Sequence, residues 1–304
     1  MKKFVLRILK FSIPALLFLL ITFTYYRHSK TKVESKLTAF SEHPVLLMGD
    51  SQIQRLHGDS ISQGAKNLAS SGEHYYFTYQ KLHTLTQNKN HRIDTLILGV
   101  SIHNFAPVYN RLFSLDFPEG EKSLKKYLYF IRMFDDSGFI TTFDKVLKPA
   151  ISGIYTAPDF GGFYESTNSN PNEEIINKAF NMHFSIKQEE AKFSHSQRDY
   201  LYKIDRLCTE NNIDLILVST PYHFDYKEKI DRKYFDFFLE SLKKLKHRRH
   251  LNFIEEDIAD RFMSDANHLN KLGAKKYSGI IGKKLKAEKR DVLQQQYKNL
   301  EFNF

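Results

Sequence analysis

The sequence predicts an α/β protein built on a doubly wound parallel sheet. Three observations point there. Short apolar runs of strand length recur along the chain. Amphipathic helical patterns lie between them, and the two kinds of segment alternate. The runs are also almost continuously hydrophobic, as strands covered by helices on both faces are.

The first strand is expected at "HPVLLMG" (43–49), and a weaker one at "AKNLA" (65–69). "IDTLILGV" (93–100), "IDLILVSTP" (213–221) and "LNFIE" (251–255) follow. One helix shows an apolar face of Leu201, Ile204 and Leu207 with Cys208. Another carries Ile230, Tyr234, Phe237, Phe238, Leu242 and Leu245, and a last helix from about Lys271 sets Leu272, Ile280, Ile281 and Leu285 on one side. Residues 106 to about 195 break the alternation with aromatic-rich helices and "YTAPDFGGFYESTNSNPNEE". That stretch is too long for a simple connection. It reads as an insertion near the carboxyl ends of the strands, where α/β folds place ligands. The α/β domain is thus expected over 43–288, after an anchor (1–26) and a charged linker (27–42), with a tail at 289–304.

The start of the chain is the clearest location signal. Lys2, Lys3, Arg7 and Lys10 precede an apolar run of 16 residues, Phe11 to Tyr26. About 20 residues span a bilayer squarely, so the run suffices only when counted from Phe4 with Arg7 and Lys10 snorkelling. Tyr25 and Tyr26 suit an interfacial belt, and the exit "TFTYY" offers no small-x-small cleavage site. The reading is an uncleaved transmembrane helix rather than a cleaved signal or a buried soluble helix. Basic residues tie across it, four at 2, 3, 7 and 10 against four at 27, 30, 32 and 36. The short leading tail then favours a cytoplasmic N-terminus and a catalytic domain on the extracytoplasmic side.

Composition narrows the classes. Of 304 residues 41% are hydrophobic and 14% aromatic, enough to build a core and too many for a disordered chain. The lone Cys208 excludes an intramolecular disulfide and a multi-cysteine metal site. The net charge of +10 favours an anionic lipid surface or acidic polymer, but dispersed basic residues and no recognisable module argue against nucleic acid. HExxH, GxGxxG, P-loop and GxSxG patterns are absent. No cofactor or metal is expected.

The first strand stops abruptly in Gly49-Asp50-Ser51. A serine there caps a helix, or serves as a nucleophile once a base takes its proton. A base and its orienting acid stand at the far end, where "SDANHLNKLGAKKY" holds Asp265 three residues before His268. That spacing lets the carboxylate meet the ring nitrogen facing away from the serine. An acyl reaction also needs oxyanion donors. The Ser51 N–H, the Gly72 N–H of "NLASSGEHYY" and the Asn104 amide of "LGVSIHNFAP" all fall at strand ends. Taken singly these are a turn glycine, a capping amide, a surface acid and one of 13 histidines. His57, His74, His103 and His223 lack an assigned partner. Lys275, Lys276, Lys283, Lys284 and Lys286 read as a solvated face, or as a contact for membrane or acidic polymer.

In order and placement these blocks resemble the GDSL/SGNH hydrolase superfamily: Gly49-Asp50-Ser51, Gly72, the Gly99–Asn104 loop and Asp265-x-x-His268. The resemblance covers roughly 43–105 and 205–285. It implies a flavodoxin-like sheet and a serine esterase or acyltransferase without a metal. Ser51 would be nucleophile, His268 base and Asp265 its orienter, with Asp50 shaping the turn. The family commonly has Gly-x-Asn in the third block. Here Gly99 is followed by Val100-Ser101, so either Asn104 or, weakly, Ser101 fills that role. More loosely, the anchor and insertion look like membrane-tethered proteins that handle acyl groups on surface polysaccharides. That implies an acetyl or other short acyl group and a membrane-bound acyltransferase partner. Two further readings stand beside it: a non-catalytic carbohydrate-binding or assembly subunit on a degenerate fold, and a lysophospholipid esterase.

Overall fold

The computed structural model describes residues 2–131, 151–154, 159–166, 171–185, 193–246 and 249–301. Five strands form one sheet: β1 (Val45–Met48), β2 (Lys66–Asn67), β3 (Thr95–Gly99), β4 (Asp214–Ser219) and β5 (His250–Asn252). Every pairing is parallel and the order is β2-β1-β3-β4-β5. This is the flavodoxin-type order, with its switch point between β1 and β3. All five expected strands are present, two of them shortened. The Asn67 side chain turns back to accept the Ala69 N–H, and Asn252 accepts that of Ile254, so each strand ends in a side-chain-to-backbone turn.

The period of two in a strand divides the core. Leu46, Met48, Leu96, Leu98, Leu215 and Leu217 face one cluster, while Val45, Leu47, Ile97, Ile216 and Val218 face the other. Helices α3 (Tyr75–Thr86), α5 (His195–Glu210) and α6 (Arg232–Lys243) cover the first face. The last helix, α7 (Lys271–Glu301), covers the second with Ala274, Tyr277, Ile281 and Leu285. Leu272, expected on that buried side, is 57% exposed. The apolar stripe begins two residues later, at helical spacing from Ala274.

Two expected boundaries shift. Helix α1 (Lys2–Thr38) runs through most of the 27–42 linker, because Val33 and Leu37, one turn apart, are buried in the first core. Helix α7 continues past 288 into the expected tail. The spanning helix expected at the N-terminus is not supported: among the described residues no helix is long and apolar enough to cross a membrane. The apolar run of α1 is closed by Lys10 and Arg27, and Phe11, Leu20 and Ile21 stand open on its surface. Much of the 106–195 insertion lies outside the described residues. Its described parts include α4 (Glu173–Phe184) and the segment 159–166.

Candidate active site

The site lies at the carboxyl ends of β1 and β3. Gly49 leaves β1 with a φ of +129°, and a Cβ there would stand 3.1 Å from the Gly99 nitrogen of β3. Only glycine permits this turn without strain. Asp50 caps α2 (Ser51–Gln54) by accepting the Gln52 N–H at 3.0 Å. Ser51 is therefore the first residue of a short helix, half-exposed on a fixed turn.

Ser51 Oγ lies 2.6 Å from His268 Nε2. Both Asp265 oxygens lie 2.9 Å from His268 Nδ1. The carboxylate therefore takes the Nδ1 hydrogen, leaving a lone pair on Nε2 for the serine proton. Burial pushes the Asp265 carboxyl up. The hydrogen bond and charge of His268, with the N–H groups of Asn267 and His268 at 3.0 Å, outweigh that and hold it below its ordinary value. The loop itself is tied by a bridge between Met263 and Leu269 and by Asn270, whose side chain caps α7 through Leu272 and Gly273.

Asp50 is clamped from several sides. Its second oxygen accepts Asn104 Nδ2 at 2.6 Å, His103 Nε2 at 2.9 Å and Tyr109 OH at 2.9 Å. His103 Nδ1 in turn lies 2.8 Å from the Tyr222 hydroxyl. Burial alone would raise the Asp50 carboxyl; the bond and charge of His103, with the Gln52 and Asn104 bonds, drive it well below the carboxylate range. Gln52 extends the scaffold sideways. Its amide donates to the Asn267 carbonyl at 3.0 Å and accepts the Ser101 hydroxyl. The residue after Ser51 thus ties the histidine loop to the β3 loop.

The structure brings Ser51, His268 and Asp265 together and sets the two third-block residues apart from them. Asn104 points its amide at Asp50 and, at 3.1 Å, at the Tyr109 hydroxyl, while its carbonyl accepts the Ser101 N–H. Ser101 hydrogen-bonds Gln52. Both are engaged in the scaffold around Asp50 and Gln52, in contrast to the expected oxyanion role, because the turn Ile102–Phe105 carries Asn104 inward. Gly72, with a φ of +66°, sits in a loop held beside α2 by Ser70 N–H to the Gly49 carbonyl (3.0 Å) and Ser71 Oγ to Gln54 (2.7 Å). Among the described residues the N–H groups of Ser51 and Gly72 donate to no protein acceptor.

A crossing segment closes one wall. The Gly162 and Tyr164 N–H groups donate to the carbonyls of Ala69 (2.9 Å) and Gln54 (3.0 Å), and Lys271 N–H donates to the Ser166 carbonyl (2.8 Å). Arg55 lies under the Tyr164 ring, 4.5 Å from its centroid, and Phe163 packs on His57 at 4.3 Å. His74 and His223 cap helices through their Nδ1 atoms. Sequence reasoning put His103 near the site without a partner for it and did not assign Tyr109, Tyr222, Gln52 or His183; these come together only through the fold. Among the described residues no group of three or more His, Cys, Asp or Glu side chains is placed to hold a metal.

No family model and no curated protein matches the chain. Among solved structures it is similar to a protein of Streptococcus pneumonia provisionally named a platelet activating factor. The identity is 11% and the TM-score 0.38, over 84% of this chain and 92% of that one. A likeness this distant has no bearing on the chemistry of the site.

Proposed function

We propose that this protein is a serine esterase or O-acyltransferase of the SGNH type, acting on short acyl esters, foremost acetyl esters of a surface polysaccharide. The observation that carries the chemistry is the 2.6 Å approach of Ser51 Oγ to His268 Nε2, with Asp265 behind the ring. Ser51 Oγ bonds to the acyl carbon as His268 takes its proton. The tetrahedral adduct collapses, the ester C–O bond breaks, and His268 returns the proton to the departing alkoxide. Water, or a sugar hydroxyl in the transfer reaction, then repeats the sequence on the acyl-serine.

The exposed apolar side chains of α1, from Phe11 to Phe23, support a place at a membrane, seated among lipid tails with Lys3 and Lys10 at the headgroups. A membrane-bound acyltransferase supplying the acyl group is the partner that an extracytoplasmic placement calls for. Flotation of the full chain with anionic vesicles tests the placement, and recovery of the protein free of lipid refutes it.

The test of the chemistry uses the full chain and Ser51→Ala. Wild type is expected to turn over aryl acetates, release acetate from an acetylated polysaccharide and react with a fluorophosphonate; S51A is expected to do none of these. Equal turnover by the two proteins would sink the assignment. The inward-turned Asn104 and the exposed Phe163 and Tyr164 favour one alternative, a non-catalytic carbohydrate-binding subunit. Polysaccharide binding without any Ser51-dependent turnover would establish that reading instead.

A further inference from the structure

With Asn104 turned inward, the site holds two free backbone donors, Ser51 N–H and Gly72 N–H, and lacks the side-chain donor its blocks imply. Helix α4 brings another side chain to the Asp50–His103 scaffold beneath Ser51. Its His183 ring packs on the His103 ring, centroids 4.9 Å apart at 32°. His103 in turn holds Asp50, the residue before Ser51. The charges that act on His183 include those of His268, Asp265 and Asp50, so it stands within electrostatic reach of the whole constellation.

The hydrogen on its ring is assigned by its neighbour. The Tyr226 hydroxyl lies 2.6 Å from His183 Nδ1, and among the described residues this is the hydroxyl's one acceptor. Burial raises the Tyr226 phenol well above its ordinary value and lowers the His183 imidazole well below its own. Both groups are neutral near pH 7, Tyr226 keeps its proton and gives it to Nδ1, and the ring hydrogen of His183 must sit on Nε2. That Nε2 has no protein acceptor among the described residues.

We infer that His183 is the side-chain hydrogen-bond donor of the oxyanion site, its Nε2–H meeting the substrate carbonyl oxygen as charge develops there. The inference rests on the esterase reading. It makes α4, and with it the insertion, part of the catalytic apparatus. A neutral imidazole suits this role, because it donates one hydrogen bond without adding a second cation beside His268.

The experiment measures kcat and KM on p-nitrophenyl acetate, and inhibition by phenylboronate, for the full-length wild type, H183A, H183Q and Y226F. Loss of one oxyanion donor lowers kcat by about 10²–10³-fold, so H183A is expected to fall in that range with KM little changed. H183Q, whose amide keeps an N–H, is expected to recover at least about tenfold over H183A. Y226F, which frees the tautomer but keeps the ring, is expected to fall between wild type and H183A. Phenylboronate, which becomes a tetrahedral adduct on serine, is expected to lose affinity in step with kcat/KM across the series. A kcat of H183A within about threefold of wild type overturns the inference. So does unchanged phenylboronate affinity in a variant of lowered kcat, since that marks a merely structural loss. If H183A does not fold, H183Q and Y226F, which keep the bulk of the side chain, carry the same comparison. A wild type without any Ser51-dependent turnover refutes the esterase reading itself, whereas an active wild type with an unaffected H183A refutes only the role of His183.

Discussion

Asp50 and His103 meet at 2.9 Å beneath the Ser51 turn, and both side chains are almost wholly buried. The carboxylate there gathers three side-chain donors on one oxygen and a backbone donor on the other. Replacing it with asparagine presents an amide where donors converge. Asp50→Asn is expected to cost about 3 kcal/mol of stability, the scale of a broken buried charged network. The pH dependence follows from the direction of the shift. A carboxyl depressed in the folded state contributes stability fully above its ordinary 3.8 and loses it as pH falls toward the folded value. The wild-type advantage over D50N in urea midpoint is thus expected to hold from about pH 7 to 5 and to shrink below about pH 4. A difference that stays flat to pH 3 would show that the charge of Asp50 is not what the network stabilises.

Asp265 touches both sides of the histidine loop's geometry, orienting the ring and bonding its backbone. An asparagine at 265 still accepts the two backbone N–H groups but offers the ring an amide in place of a charge. Asp265→Asn is expected to lower kcat on aryl acetates by about 10⁴-fold, as loss of the orienting carboxylate does in serine triads. The melting temperature is expected to change far less. Steady-state kinetics beside a thermal melt checks this.

Gln52 joins the Asn267 carbonyl to the Ser101 hydroxyl and so fixes how far His268 stands from Ser51. Gln52→Ala leaves the buried Asn267 carbonyl without its donor and the Ser101 hydroxyl without this acceptor, at about 1–3 kcal/mol. Reacting groups displaced by about 1 Å lose about 10²-fold in rate, so kcat is expected to fall by 10- to 100-fold. Gln52→Glu, which keeps the acceptor and loses the donor to Asn267, is expected to behave like the alanine variant in kcat. Retention of full activity by either protein would remove Gln52 from the site.

Lys81 and Glu73 form an ion pair at 2.7 Å with both side chains fully buried, and Lys81 also donates to the Leu68 carbonyl at 2.6 Å. Burial raises the Glu73 carboxyl despite the charge and hydrogen bond of Lys81. This pair anchors the loop that carries Gly72. Lys81→Met strands a buried carboxylate and is expected to cost about 3–5 kcal/mol. Adding Glu73→Gln to it is expected to recover a large part of that loss. Chemical denaturation of the single and double variants reads the coupling directly.

Legibility in the sequence divides along physical lines. The strands were readable because a fully covered parallel sheet demands unbroken apolar runs, and Val45–Met48 or Leu215–Val218 leave little choice. The approach of Ser51, Asp265 and His268 was readable because their neighbours set local geometry: a glycine that turns, an aspartate that caps, a three-residue step that bends acid to base. Asn104 was misread because its direction depends on how a one-turn helix folds between Ser101 and Phe105, and that is decided by Asp50, over fifty positions away. His183 left no trace in the sequence, since its environment is built entirely from other elements. Of the expected face of α7, Ile281 and Leu285 are buried and Leu272 alone is off it: Gly273 packs against the Phe262 carbonyl, where a Cβ would come within 2.1 Å, and turns its neighbour Leu272 outward.

The segment from Gly161 to Ser166 has a bearing on protein design. It is stitched by backbone bonds to the loop after β2, to α2 and to the start of α7, at Ala69, Gln54 and Lys271. A miniaturised version with the insertion excised and the strands joined directly would keep every residue of the triad. It would also leave the Ala69 and Gln54 carbonyls and the Lys271 N–H without the staple that binds them, so any shortened form has to keep Gly161 to Ser166 in place.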